Sequence, residues 1–184
     1  MHPTSRRTGD RIDDLDRAIS RAVSEIPPSP FDTVMKAVSQ AADHGLLWFA
    51  TAALLATRRG ATRRGAVRGV VALGCSSVVA NAVLKPLLPR RRPAASELPA
   101  YQTIPDPPTS SSFPSGHSAS AAAFATAFMI ESPAVGVVLA PLAAAVAYSR
   151  IHVGVHWATD VAAGAALGTT IALASRRWWP APGA

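Results

Sequence analysis

The sequence predicts an all-α fold: a polytopic transmembrane helical bundle of about five spans, with an N-terminal helix lying on the membrane surface. Two observations carry this expectation. Hydrophobic residues make up 49% of the 184-residue chain and charged residues only 16%, against roughly 25% charged in soluble domains. The hydrophobic residues, mostly Ala, Val and Leu, gather with Gly in blocks separated by short polar breaks. Such a length makes one domain. It divides into a polar tail and surface helix (1–28), a membrane-embedded body (29–179) and a C-terminal tail (180–184).

Residues 1–9 are polar. From Asp10 onward Ile12, Leu15, Ile19 and Val23 recur at helical spacing among charges of both signs, which suits a helix lying on a membrane rather than crossing it. The first apolar residues are scattered among arginines and aspartates, which is not a signal-peptide pattern. Ile26-Pro27-Pro28 ends this helix. Ser29, Pro30 and Asp32 then supply an N-cap, a first-turn proline and a capping-box acid for the next. That helix begins amphipathic at Phe31, Val34, Met35 and Val38 and is wholly apolar from Leu46 to Ala56.

Arg58, Arg59, Arg63, Arg64 and Arg68 follow, with no acid among them, and the block from Gly69 to Leu84 comes next. Cys75 within it excludes an intrachain disulfide framework and is expected to be a small buried residue. Residues 94–113, rich in proline and serine and charged only at Glu97 and Asp106, form a loop expected to be flexible, to border an entrance and to contribute to headgroup selection. The last blocks are 118–130, 133–148 and 157–175. Several blocks fall short of the roughly 20 residues of an ideal span, so flanking turns are expected to extend them. Gly164 and Gly168 suit close helix packing, and Arg176-Arg177-Trp178-Trp179 suits an interfacial anchor.

Three stretches carry the chemistry. In Ser149-Arg150-IHVGV-His156-WAT-Asp160, the last two functional residues are four apart, so on a helix they share a face. Asp160 could then fix the His156 tautomer and leave the other ring nitrogen free as a nucleophile. Arg150 could fork onto phosphate oxygens. In Pro114-Ser115-Gly116-His117, Gly116 permits close backbone approach, Ser115 adds a hydroxyl, and the helix start favours an anion. His117 suits a general acid. In Lys85-PLLPRR-Arg92-Pro93, Lys85, Arg91 and Arg92 sit in a segment that its prolines keep from continuing as a helix. Asn81, one turn earlier, could support Lys85. Taken singly, these stretches also read as a capping turn, an interfacial His and a positive membrane flank. Together they supply cations, two histidines and a carboxylate but no cluster of metal ligands, the set needed for phosphoryl transfer.

The patterns Lys-x6-Arg-Pro, Pro-Ser-Gly-His and Ser-Arg-x5-His-x3-Asp resemble the signature of the type 2 phosphatidic acid phosphatase superfamily, without departure and over roughly residues 31–175. The resemblance implies a helical bundle with the site at its mouth, in which His156 forms a phosphohistidine, Asp160 orients it and His117 protonates the leaving group. Lys85, Arg92, Ser115, Gly116 and Arg150 would bind the phosphoryl oxygens. Arg91 and His152 fall in variable gaps as bystanders or secondary contacts, and His2 and His44 fall outside the pattern.

The expected activity is metal-independent hydrolysis of a lipid phosphomonoester or pyrophosphate, without cofactor. The alternative is a phosphotransferase using the same intermediate; a non-catalytic scaffold would require a broken site. Candidate substrates are polyprenyl pyrophosphate, polyprenyl-phosphate sugars phosphorylated on the sugar, phosphatidylglycerophosphate and phosphatidate, and a bacterial envelope is the expected setting. The partners are then a phosphorylated lipid and the bilayer. Nucleic acid is disfavoured despite a pI near 11, because no basic stripe lies on a soluble module. Alternation over five spans puts the three motifs on one face. The arginine loop expected at 58–68 and the Arg176-Arg177 end make the other face cytoplasmic by the positive-inside rule, so the site is expected on the extracytoplasmic face of a multi-pass membrane protein.

Overall fold

A computed structural model describes residues 8–94 and 98–180. The polar residues 1–7, Glu97 and residues 181–184 of the C-terminal tail lie outside the described residues. The regular structure described is helical throughout. It runs α1 (Thr8–Ser24), α2 (Pro30–Ala41), α3 (Leu46–Ala56), α4 (Ala61–Leu87), α5 (Gly116–Glu131), α6 (Pro133–His152) and α7 (Ala158–Ala174).

Helix α5 is the axis of the bundle, with α4, α6 and α7 packed around it. Small residues make this possible. A Cβ on Gly164 or Gly168 would fall 2.3 or 2.0 Å from the carbonyl oxygen of Ser115 or Ala119, so α7 lies directly on the α5 backbone. Gly65 and Gly69 of α4 make the same kind of room for the Phe128 and Phe124 rings, and Gly136 of α6 sits against the Met129 backbone. Trp48 from α3 completes the core against Phe124, their centroids 5.2 Å apart.

Among the described residues three segments are long and apolar enough to cross a membrane: Ala61–Leu87, Pro133–His152 and Ala158–Arg177. Their outer faces are apolar, with Val78, Val137 and Val138 at least 60% exposed, as lipid-facing positions require. The other two expected spans are shorter, 11 residues for α3 and 16 for α5.

Three local expectations are corrected. The helix expected to run from Pro30 into the Leu46–Ala56 block is broken by a 3₁₀ turn, Asp43–Gly45, where His44 and Gly45 have φ of 55° and 77°. The arginine stretch is mostly helix. Gly60 (φ 76°) precedes α4, and Arg64 and Arg68, one turn apart, both reach Glu131 at the end of α5 (2.9 and 2.8 Å). Cys75 is exposed on the outer surface of α4 rather than buried.

Candidate active site

Four helix ends meet at one end of the bundle: the last turn of α4, the heads of α5 and α7, and the end of α6. Pro86 has no N–H to offer the carbonyl one turn back. The helix widens into a π segment, Val79–Leu84, and stops at Leu87, releasing the chain toward Arg92. Such widened turns recur at functional sites. Here the segment carries Asn81, which donates to the Ser77 carbonyl (2.9 Å) rather than supporting Lys85.

A cavity of about 290 Å³ lies among these ends. Six of the eight sequence-predicted site residues line it: Lys85, Arg92, Gly116, His117, Arg150 and His156. The other two stand behind. Ser115 caps α5 and is fully buried, its hydroxyl accepting from Ser118 Oγ (2.9 Å). Its N–H donates to the Asp160 carbonyl (3.0 Å), joining the two helix heads. A Cβ on Gly116 would approach the end of the exposed Asn81 side chain to 3.0 Å, so the amide would have to give way by a few tenths of an ångström.

His156 is 2% exposed. Its Nδ1 faces Asp160 Oδ2 at 3.6 Å and its Nε2 lies 3.3 Å from an Arg92 guanidinium nitrogen. Burial, then the adjacent Arg92 and Arg150 cations, outweigh the Asp160 contact and push the imidazole down to about 4. It is therefore neutral near pH 7. Asp160 is fully buried, and Arg90 (2.8 Å) and the Trp157 N–H (2.9 Å) donate to its two oxygens. Arg92 also donates to the Val155 and Ser111 carbonyls, and burial lowers its pKa. Arg150 is buried and donates to the Ser39 hydroxyl of α2.

Several of these contacts lay beyond sequence reasoning. Arg90, two residues from the motif arginine, bridges Asp160 to Asp16 of α1 (2.8 Å each). Asp43, in the break between α2 and α3, lies 2.8 Å from His117 Nε2 and 3.8 Å from Arg150. His44, given no role from sequence, lines the cavity. His152 is buried against Asp32 (2.8 Å), so Asp32 serves both the Ser29 cap (2.7 Å) and a link from α2 to α6. The Arg91 side chain is exposed, while its carbonyl accepts from the Trp157 indole (2.9 Å). The loop is stitched down: Tyr101 and Gln102 donate to the Ile26 and Val23 carbonyls, and Pro108 reaches the cavity. Among the described residues no three His, Cys, Asp or Glu side chains cluster as metal ligands.

This geometry and fold define a helical membrane protein with an anion-ready cavity at one end of its bundle. The chain belongs to the PAP2 superfamily, which it matches over residues 65–183. It is 37% identical over 103 residues to an undecaprenyl-diphosphatase of Sulfolobus acidocaldarius, covering 54% of this chain and 48% of that protein. It is 40% identical over 105 residues to a decaprenylphosphoryl-5-phosphoribose phosphatase of Mycobacterium tuberculosis, covering 53% and 54%. The chain thus spans about half the length of the curated relatives it matches. In structure it resembles the transmembrane PAP2-type phosphatidylglycerolphosphate phosphatase of Bacillus subtilis (TM-score 0.69, 24% identity, 92% of this chain and 86% of that one). It also resembles Aquifex aeolicus LpxE (TM-score 0.74, 24% identity, 89% and 95%). At that identity the likeness is one of fold.

Proposed function

We propose that this protein is a lipid phosphate phosphatase that works through a phosphohistidine without needing a metal ion. The observation that carries the reading is His156, neutral, with one nitrogen toward Asp160 and the other beside Arg92, in the cavity that His117 also lines. Lys85, Arg92, Arg150 and the N–H groups at the head of α5 hold the phosphoryl oxygens and neutralise their charge. His156 Nε2 attacks phosphorus while the bond to the lipid oxygen breaks, and His117 gives that oxygen a proton. Asp160 stabilises the positive charge that develops on the His156 ring. Water then attacks phosphorus, His117 takes a proton from it, and the N–P bond breaks to release phosphate.

The relatives' names favour a polyprenyl phosphate or diphosphate as the lipid. The site opens on the extracytoplasmic face in this reading. The test is phosphate release by the purified protein in detergent with a chelator present, comparing a lipid monophosphate with a polyprenyl diphosphate. Release is expected to survive chelation and to vanish in His156→Ala. Release that persists in the variant would show that another group is the nucleophile.

A further inference from the structure

We propose that Asp43 is a positioning residue for His117, forming with it a second carboxylate–imidazole pair at the cavity that His156 also lines. The inference rests on the phosphatase reading above and concerns how the leaving oxygen receives its proton. Asp43 lies outside all three motifs, and the α2–α3 break brings it to the site. Its side chain is 43% exposed and its Oδ1 is 2.8 Å from His117 Nε2. The contact joins residues 74 apart in sequence. His44 and Gly45, both at positive φ, turn the chain immediately after it. Such a conformation is costly for a non-glycine residue, and here it holds a carboxylate against the site histidine.

The chemistry follows from which nitrogen is occupied. Nε2–H donates to Asp43, which leaves Nδ1 as the ring nitrogen that can serve the substrate. In the imidazolium form the Nδ1 proton passes to the departing lipid oxygen as the P–O bond breaks. The ring is then neutral, with Nε2–H still held by Asp43 and a lone pair on Nδ1 ready for a proton from the attacking water. Arg150 from α6 and Lys85 from α4 line the same cavity and repel a charged ring, and Asp43 is the carboxylate paired with it. Asp43 itself is held below the ordinary carboxylate range, first by the hydrogen bond from His117 and also by Arg150 and His44.

The test exploits the leaving group. An alkyl lipid phosphate needs a proton on its departing oxygen, whereas p-nitrophenyl phosphate expels a stable phenolate without one. Asp43→Asn keeps size but removes charge. It is expected to lower kcat on the lipid by about 10²-fold, within the range for general acid catalysis, with a much smaller loss on the aryl ester and KM nearly unchanged. The basic limb of its pH profile moves to lower pH, and Asp43→Glu restores part of the rate. In a His117→Ala background Asp43→Asn has no further effect, as two residues acting through one step require. Equal losses on both esters with an unmoved pH profile would overturn the proposal. So would a fall in KM with faster turnover, because the carboxylate would then be occupying the place of the phosphate. Failure of the parent reading shows separately, as full activity in His156→Ala.

Discussion

At the scale of single residues, His156 combines two demands that pull against each other. As the proposed nucleophile it has to lie among the cations that would hold phosphate, and it has to keep an unprotonated nitrogen. Burial and those cations, which push it down to about 4, satisfy both. The acid limb of kcat/KM is therefore expected near pH 4 rather than near the ordinary histidine value of 6.5. Stability shifts in the same sense. The unfolded chain takes up the proton first, so this contribution is complete above about 6.5 and is lost as pH falls through about 4. Thermal unfolding in detergent across that window checks it. Asp160→Asn keeps shape but removes the charge facing Nδ1, and kcat is expected to fall by about 10²- to 10⁴-fold with lipid binding retained. Steady-state kinetics on both proteins measure it, and unchanged turnover would remove Asp160 from the mechanism. The pairing of His156 with Asp160 was legible from their four-residue spacing, although His156 stands just before the Trp157 N-cap of α7 and not on the helix where the spacing put it. Asp43 and Arg90 were not, because they reach their partners across 74 and 70 residues and only the folded chain brings those positions together.

At the scale of elements, the N-terminal helix is the clearest case of a pattern that was correct but incomplete. Its spacing gave the helix, yet Asp16 is the residue most buried on it, while Ile12 and Leu15 are 43% and 53% exposed. The reason lies at the head of α7. Asp16 accepts from the Thr159 N–H (2.9 Å) and hydroxyl and from Arg90, which in turn holds Asp160. Arg90 thus ties α1 to the carboxylate behind His156. Arg90→Gln leaves two buried carboxylates without their cation, and removing one partner of a buried ion pair costs about 3–5 kcal/mol. A loss of about that upper range or less is expected, since Arg90 is 24% exposed and water can partly compensate. It appears as a lower unfolding midpoint in detergent together with a reduced kcat. A variant as stable and as active as the parent would show that the bridge supports neither. The Gly164–Gly168 pair, by contrast, was fully legible, because small residues four apart have one common use on a membrane helix.

At the scale of the whole molecule, the open matter is which end of the bundle faces the cytoplasm. Sequence alone counted the arginines from 58 to 68 as one free positive block. The fold removes part of that charge: Arg68 is buried and Arg64 half-buried, both paired with Glu131, and Arg68 also donates to the Ser175 hydroxyl and the Trp179 carbonyl. Glu131 could not have been assigned to them beforehand, since it follows the third long apolar block. Arg58, Arg59, Arg63, Arg176 and Arg177 remain exposed at that end, beside the exposed Trp178. By the positive-inside rule this end is the one expected in the cytoplasmic interface. At the other end Arg90 and Arg92 are hydrogen-bonded within the site and Arg150 is buried there, Arg91 is exposed, and the exposed Arg11, Arg17 and Arg21 of α1 stand among the exposed Asp10, Asp13 and Asp14. On the proposed orientation the cavity and the loop carrying Asp106, which is exposed, are expected to face outward. Cys75 must be removed first because it too is exposed. In a Cys75→Ala background, Asp106→Cys is expected to react with a membrane-impermeant maleimide in intact cells. Labelling only after permeabilisation would put the cavity on the cytoplasmic side, where it would meet lipid phosphates of the inner leaflet instead.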